Sequence, residues 1–284
     1  MMQSLTLRMR RTSDLWNRFS RRNSSVIGLL GAVFFLAVAL FANWLAPYGR
    51  LEMGLSFQPP SPDNWLGTDS LGSDVLSSII YGAQTSLLVG FCAVATSSVI
   101  GVVVGALSGY YGGMVDNVFM RITELFQMVP QFFLAIIIIA LFGASIWNVI
   151  FVIGILTWPS TARLLRGEFL ALKQREFIEA GRSLGMSDFD LIMREILPNA
   201  LPPVIVNASL QISGAILLET SLSFLGLGDP NVMSWGMMLN SAQEYFNRAW
   251  WMAAFPGLAI FLTTLGLNLV GDGLNDALNP RLRT

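Results

Sequence analysis

The chain has 284 residues, 54% of them hydrophobic and 12% charged, with a formal net charge of -1. A soluble domain is about a quarter charged, so this composition belongs to a membrane protein, and the near-zero charge gives no ground for a nucleic-acid partner. There is no histidine, one cysteine (Cys92, among apolar neighbours) and one lysine (Lys173, followed by Gln174). That excludes Ser-His and HExxH chemistry, an intramolecular disulfide framework and a Walker A loop.

Residues 1–25 form a basic segment with Arg8, Arg10, Arg11, Arg18, Arg21 and Arg22. A first apolar run follows at 26–46. It meets the about 20 residues that a spanning helix needs. It is longer than the about 7–15 residues of a signal-peptide core, and Trp44-Leu45-Ala46-Pro47 is a poor cleavage site, so an uncleaved anchor is expected. Residues 47–84 read as an extracytoplasmic loop rich in proline and glycine, with Asp63, Asp69 and Asp74. It lacks the dense ligand pattern of a calcium loop, so a solvated loop is expected there.

Five further spans are predicted at 85–108, 119–142, 146–165, 201–225 and 250–270, within a core of 85–275. Gly101, Gly105 and Gly109 recur every four residues, a row that permits close helix packing. Arg121 and Glu124 are three apart and can pair across one turn. Thr123, Gln127 and Gln131 share a stripe of the third span, as Asn207 and Gln211 do in the fifth, with Ser213 nearby. Polar residues at such depth face a bundle interior or an aqueous path, so Gln127, Gln131, Asn207 and Gln211 are candidates for either. Glu219 lies toward the outer end of the fifth span and faces either the cavity or water. Pro130, Pro159 and Pro256 kink or bound their helices.

Basic residues set orientation. Arg166, Lys173, Arg175, Arg182 and Arg194 fall between spans four and five, and Arg281 and Arg283 lie in the tail at 276–284. The opposite loops hold only Arg50 and Arg248. Six spans put every basic segment on one side, with both termini cytoplasmic. The charged stretch 166–198 is cytoplasmic on the same reasoning, and "EAGRSLGMSDFDLIMREILP" at 179–198 has helical periodicity. Phe177, Ile178, Gly181, Leu184 and Gly185 fit one short helix closed by Gly185. Ser187 then caps a second helix with Asp188 and Asp190 in its first turn and Phe189, Ile192, Met193 and Ile196 on one apolar face. Pro198 is expected to end it. From spacing alone, the hairpin either lies on the membrane or is gripped by a partner.

The stretch resembles the EAA motif of membrane subunits of binding-protein-dependent ABC importers. Glu179-Ala180-Gly181, Gly185, Leu197 and Pro198 match in register, whereas Gly181 replaces an alanine and Glu195 takes the isoleucine slot. "SLSFLGLG" at 221–228, "WGMML" at 235–239 and much of 66–87 and 255–282 resemble the second permease of dipeptide, oligopeptide and nickel importers, with Ser73 where an arginine is usual. The resemblance implies an all-α, type I importer permease bundle with a cytoplasmic coupling-helix hairpin, in a prokaryotic plasma (inner) membrane. It implies ATPase coupling through Glu179, Ala180, Gly181, Arg182, Gly185, Met186 and Ser187. Its partners would be a homologous permease, two ABC ATPase subunits holding ATP and Mg, an extracytoplasmic solute-binding protein and membrane lipid. This chain itself would bind no cofactor and carry no ATPase site. Peptides are the expected solute, with nickel or a metal chelate as the alternative. An ATP-independent transporter or channel and an intramembrane enzyme are the rival classes; the enzyme lacks any evident nucleophile-base pair here.

Overall fold

Long apolar runs without charge have one way to satisfy their backbone in lipid, which is to bond within a helix. A computed structural model of the chain describes residues 16–278, and among these the regular elements are helices joined by turns and one long irregular segment at 46–74. Residues 1–15 and 279–284, with Arg8, Arg10, Arg11, Arg281 and Arg283, lie outside the described residues.

Helix α1, Asn23–Leu40, has no charged residue and buries only Ser25, Gly28, Phe35 and Ala39; Ile27, Leu30 and Phe34 face outward. Helix α2, Val75–Tyr111, runs 37 residues, about 55 Å at 1.5 Å per residue. It starts at Val75, not at residue 85, because Asp74 caps it: Oδ2 accepts from the Ser77 N–H at 2.8 Å. The serine-rich first turns masked this start in the sequence.

The third span is broken. Helix α3, Gly113–Met128, and helix α4, Gln131–Phe142, meet at 86° across Val129-Pro130. Proline lacks an N–H and forces its predecessor out of the helical region; Val129 is extended, with φ -96° and ψ 131°. Helix α5, Ile146–Leu172, keeps Pro159 inside it. Helix α6, Glu176–Ser183, is the first arm of the charged hairpin. The second arm does not stop at Pro198. A helical turn at Asp188–Asp190 passes through a π-helical stretch at Leu191–Ile196 into helix α7, Leu197–Phe224. The Leu197 N–H reaches back to Ile192 O, a five-residue step that widens the turn just where the Pro198 ring enters.

Helix α8, Trp235–Ala242, folds back against the bundle, burying Trp235 fully with its indole N–H on Ile79 O at 3.0 Å. Helix α9, Trp251–Leu278, is the last element among the described residues. Among the described residues five helices are long and apolar enough to cross a membrane, six when the bent pair counts as one span.

The glycine row forms the central seam. A Cβ on Gly101 would lie 2.6 Å from Thr161 Cβ, on Gly105 2.6 Å from Ala162 O, and on Gly109 2.5 Å from Phe169 Cβ. Helices α2 and α5 therefore touch closely along about two turns. Residues 49–65 before α2 are mostly solvent-exposed, as expected of a loop, while the stretch next to the helix is tied down. Asp69 Oδ1 accepts from the N–H groups of Leu71 and Ser73, both at 2.8 Å, and Trp251 Nε1 donates to Thr68 O at 3.1 Å. Asp69 and Asp74 are thus spent on backbone caps, and no group of three or more metal-ligating His, Cys, Asp or Glu side chains occurs among the described residues.

Candidate functional site

Two features stand out on the bundle, a hairpin at one end and a polar cleft. The hairpin's first arm ends in a glycine cap. Gly185 has φ +78°, the Gly185 N–H bonds Arg182 O at 3.0 Å, and the Met186 N–H bonds Gly181 O at 3.1 Å. This pair of bonds is a Schellman closure, which needs the left-handed conformation that glycine adopts without strain. Ser187 opens the second arm as its position suggests, with Oγ accepting from the Asp190 N–H at 3.2 Å and donating to Asp190 Oδ2 at 2.7 Å.

The hairpin is anchored from beneath. Ile178, Leu191 and Ile196 are fully buried against Tyr110, Leu165 and Phe169 toward the C-terminal ends of α2 and α5. The expected face of Phe189, Ile192, Met193 and Ile196 is therefore only half right. Phe189 and Met193 are 71% and 45% exposed, and Leu191 takes the buried place. The π turn is the reason: buried positions run 191, 196, 200 and 204, a first step of five and then steps of four. In the first arm Gly181 is buried, and its missing side chain matters, since a Cβ there would stand 2.9 Å from Leu191 Cδ2. Phe177 and Leu184 point outward instead.

A polar cluster locks the junction. Tyr110 donates to Asp188 Oδ1 at 2.5 Å, Lys173 Nζ donates to Tyr110 O, and the Lys173 and Arg182 cations lie 5.5 and 5.9 Å from the Tyr110 ring centroid. One turn away Arg166 grips Asp116 with two bonds of 2.5 Å, and Ser108 donates to the same carboxylate. Such bidentate pairing fixes orientation as well as charge. Glu179, Ala180, Arg182, Gly185 and Ser187 remain exposed, and Met186 is half-buried. The result is a rigidly seated hairpin whose outer rim shows Phe177, Leu184, Phe189 and Met193 beside charged side chains.

The cleft lies between α4, α5 and α7. It encloses about 450 Å³ and is lined by Gln131, Thr157, Ser160, Gln211 and Ser221 with apolar neighbours. Gln211 Nε2 donates to Ser160 Oγ at 3.0 Å and Thr161 Oγ1 at 3.1 Å, and Asn207 Nδ2 donates to Thr161 Oγ1 at 3.3 Å. Gln131 Nε2 donates to Leu156 O at 3.1 Å. Gln131 and Gln211 therefore share the cleft, and Asn207 joins them through Thr161. Gln127 does not. The 86° bend removes it from the stripe with Gln131, and it stands exposed at the end of α3 while Thr123 is buried. Thr157 and Ser160 flank Pro159 and were missed in the sequence, although hydroxyls on both sides of a mid-helix proline are a signal. The Arg121–Glu124 pair forms at 3.0 Å on the surface. Glu219 faces neither the cleft nor bulk water; it is 3% exposed and bonded by Ser223 Oγ at 2.7 Å.

Comparison with known proteins places this architecture. Residues 101–284 match the family of binding-protein-dependent transport system inner membrane components, and residues 11–60 match the N-terminal TM domain of oligopeptide transport permease C. The chain is 41% identical over 280 residues to a glutathione transport system permease protein of Pectobacterium atrosepticum, covering 95% of this chain and 91% of that protein. It is 42% identical over 274 residues to the protein of the same description in Escherichia coli O157:H7, covering 95% and 90%. The fold resembles a chain of the MetNI methionine ABC transporter in an inward-facing conformation, with TM-score 0.57 and 19% identity, over 71% of this chain and 96% of that one.

The chain belongs to the family of binding-protein-dependent transport system inner membrane components. It is a multi-pass inner-membrane permease subunit of an ABC importer, and ATP hydrolysis resides in separate subunits.

Proposed function

We propose that this permease pairs with a homologous permease to carry short peptides inward by alternating access, driven by two ATPase subunits that hold ATP and Mg. The hairpin at 176–197 is the coupling element and carries the EAA motif. A solute-binding protein delivers the peptide on the outer face, and both termini lie in the cytoplasm. The observation that carries this reading is the hairpin's two-sidedness. Its inner face is fully buried on α2 and α5, while its rim leaves Phe177, Leu184 and Phe189 exposed among charges. A hairpin resting on lipid would bury that rim and free the inner face. An apolar rim on a rigid seat suits insertion into a protein groove.

The peptide reading is supported by the relatives, whose descriptions name glutathione, itself a short peptide, and by the oligopeptide permease match. The cleft with Gln131 and Gln211 offers amide donors and acceptors of the kind a peptide backbone pairs with. The test is uptake by cells carrying only this system. Labelled tripeptide should enter, and unlabelled di- and tripeptides should compete. Uptake of nickel without peptide competition would replace the peptide reading by the metal one. Uptake that survives loss of the partner ATPase subunits would overturn the importer mechanism.

A further inference from the structure

We infer that the groove between α1 and α9 is a binding site for an anionic phospholipid, with one acyl chain in the groove and the phosphate among the arginines at its mouth. The groove holds about 320 Å³. Trp16, Phe19 and Leu29 line one side, and Val270, Leu274 and Leu278 the other; no polar side chain lines it. From Val270 to Leu278 it follows α9 for about 12 Å at 1.5 Å per residue. One leaflet of the hydrocarbon core is about 15 Å thick, so the groove runs through most of a leaflet. Side-chain walls that offer no hydrogen bond disfavour an ion, a water or a peptide backbone. They suit a hydrocarbon chain.

The mouth is built by the helical turn at 16–19 that precedes α1. Trp16 and Phe19 stack there with ring centroids 6.0 Å apart. Phe19 is 7% exposed and sits over Gly273 of α9, where a Cβ would stand 2.6 Å from its ring. Arg22 holds Asp276 of α9 at 2.6 Å, which clamps the two helices where the groove opens. Aromatic residues and arginines at the end of a span mark the membrane–water boundary. The same turn presents Arg18, half-buried, and Arg21, exposed. Among the described residues neither is ion-paired.

Charge selects the headgroup. The fold brings both ends of the described chain to this mouth, since the groove is lined by Trp16 and by Leu278. In the sequence, residues 8–22 carry six arginines and one acid, Asp14, and residues 272–284 carry two arginines and two acids, Asp272 and Asp276. Arginines grouped beside a membrane surface attract anionic lipids, and the guanidinium fork matches phosphate. A zwitterionic headgroup would bring its own cation into this excess of positive charge. Helix α1 buries only four of its residues, so a lipid chain in the groove adds contact with α9 that its own side chains do not make. The leaflet is the inner one on the orientation proposed above; the groove and its arginines stand without that reading.

The test is binding of a fluorescent phosphatidylglycerol to the full chain, purified in detergent with the subunits that accompany it. Unlabelled phosphatidylglycerol and cardiolipin should displace it, and phosphatidylcholine should need about tenfold more. Glycerol phosphate, which has no acyl chain, should not displace it. Arg18→Gln combined with Arg21→Gln should weaken binding about tenfold. Leu274→Trp should abolish it by filling the groove, and Arg121→Gln on α3 should leave it unchanged. Equal displacement by phosphatidylglycerol and phosphatidylcholine, or binding that survives Leu274→Trp, would overturn the site. Binding that appears only when residues 2–14 are removed would give the groove to the chain's own N-terminus and overturn it too. If Leu274→Trp does not assemble, native mass spectrometry decides. Phosphatidylglycerol or cardiolipin retained by the wild-type protein and lost from the double arginine variant supports the site; phosphatidylethanolamine alone, or no lipid, refutes it. Binding is read without ATP or solute, so its outcome is separate from that of the uptake test.

Discussion

The hydroxyl of Tyr110 donates to Asp188 Oδ1 at 2.5 Å. Tyr110 closes the longest helix of the bundle, and Asp188 opens the second arm of the hairpin. Through this bond, force applied to the hairpin reaches α2, whose glycine row is packed directly on α5. Tyr110→Phe keeps the ring and its contacts with Lys173 and Arg182 but removes the donor. A hydrogen bond to a charged partner contributes about 1.5–3 kcal/mol. The variant should insert and assemble normally yet transport less solute per ATP hydrolysed, read by measuring uptake and ATPase rate in the same vesicles.

Gly185 has open space around its Cα, with no heavy atom within 4 Å of the place a side-chain carbon would take, but its φ is +78°. Gly185→Ala therefore tests backbone strain without steric clash, at about 1–2 kcal/mol. Gly185→Asn should be milder. Gly185→Glu adds charge at the rim and should abolish uptake with membrane insertion intact. Immunoblots of membranes beside uptake rates separate the two effects, and normal uptake by Gly185→Glu would refute the coupling assignment.

Gln211 and Gln127 form a matched pair of probes. Gln211 lines the cleft and bonds Ser160 and Thr161, whereas Gln127 stands clear of it. Gln211→Ala should change the concentration dependence of uptake while the subunit still assembles; Gln127→Ala should be silent. A loss of assembly in Gln211→Ala would reduce its role to packing.

The seam predicts a graded stability series. Gly105 faces Ala162 O at 2.6 Å from where a Cβ would sit. Backbone cannot yield as a side-chain tip does, so Gly105→Leu should prevent assembly. Gly257, which has nothing within 4 Å, should accept alanine with little change in unfolding temperature.

The apolar runs made the spans legible, and so did the Arg-rich segments between them, because lipid leaves little choice of backbone structure. What stayed hidden was set by single residues acting through geometry. Pro130 was visible, but not the 86° turn it makes, and that turn decides that Gln131 enters the cleft and Gln127 does not. The Asp74 cap lay in a glycine- and serine-rich stretch that resembles a loop, so α2 began earlier than its apolar core. The π turn before Pro198 shifted the hairpin's buried face from Phe189 and Met193 to Leu191. No local pattern carries such a shift, since it depends on how one proline is accommodated. The groove between α1 and α9 brings together residues 16, 19, 270 and 274, a meeting that only the folded bundle reveals.

The most direct test of the central claim is a cross-link at the hairpin rim. Leu184 is 85% exposed, and Cys92 is the chain's one cysteine, so Leu184→Cys in a Cys92→Ser background offers a single reactive thiol. Treated in native membranes with a short thiol-to-amine cross-linker, it should join to a polypeptide containing a Walker A sequence, with the yield changing when ATP is added. An adduct only with lipid or with copies of this chain, and no ATPase at any nucleotide condition, would contradict the account.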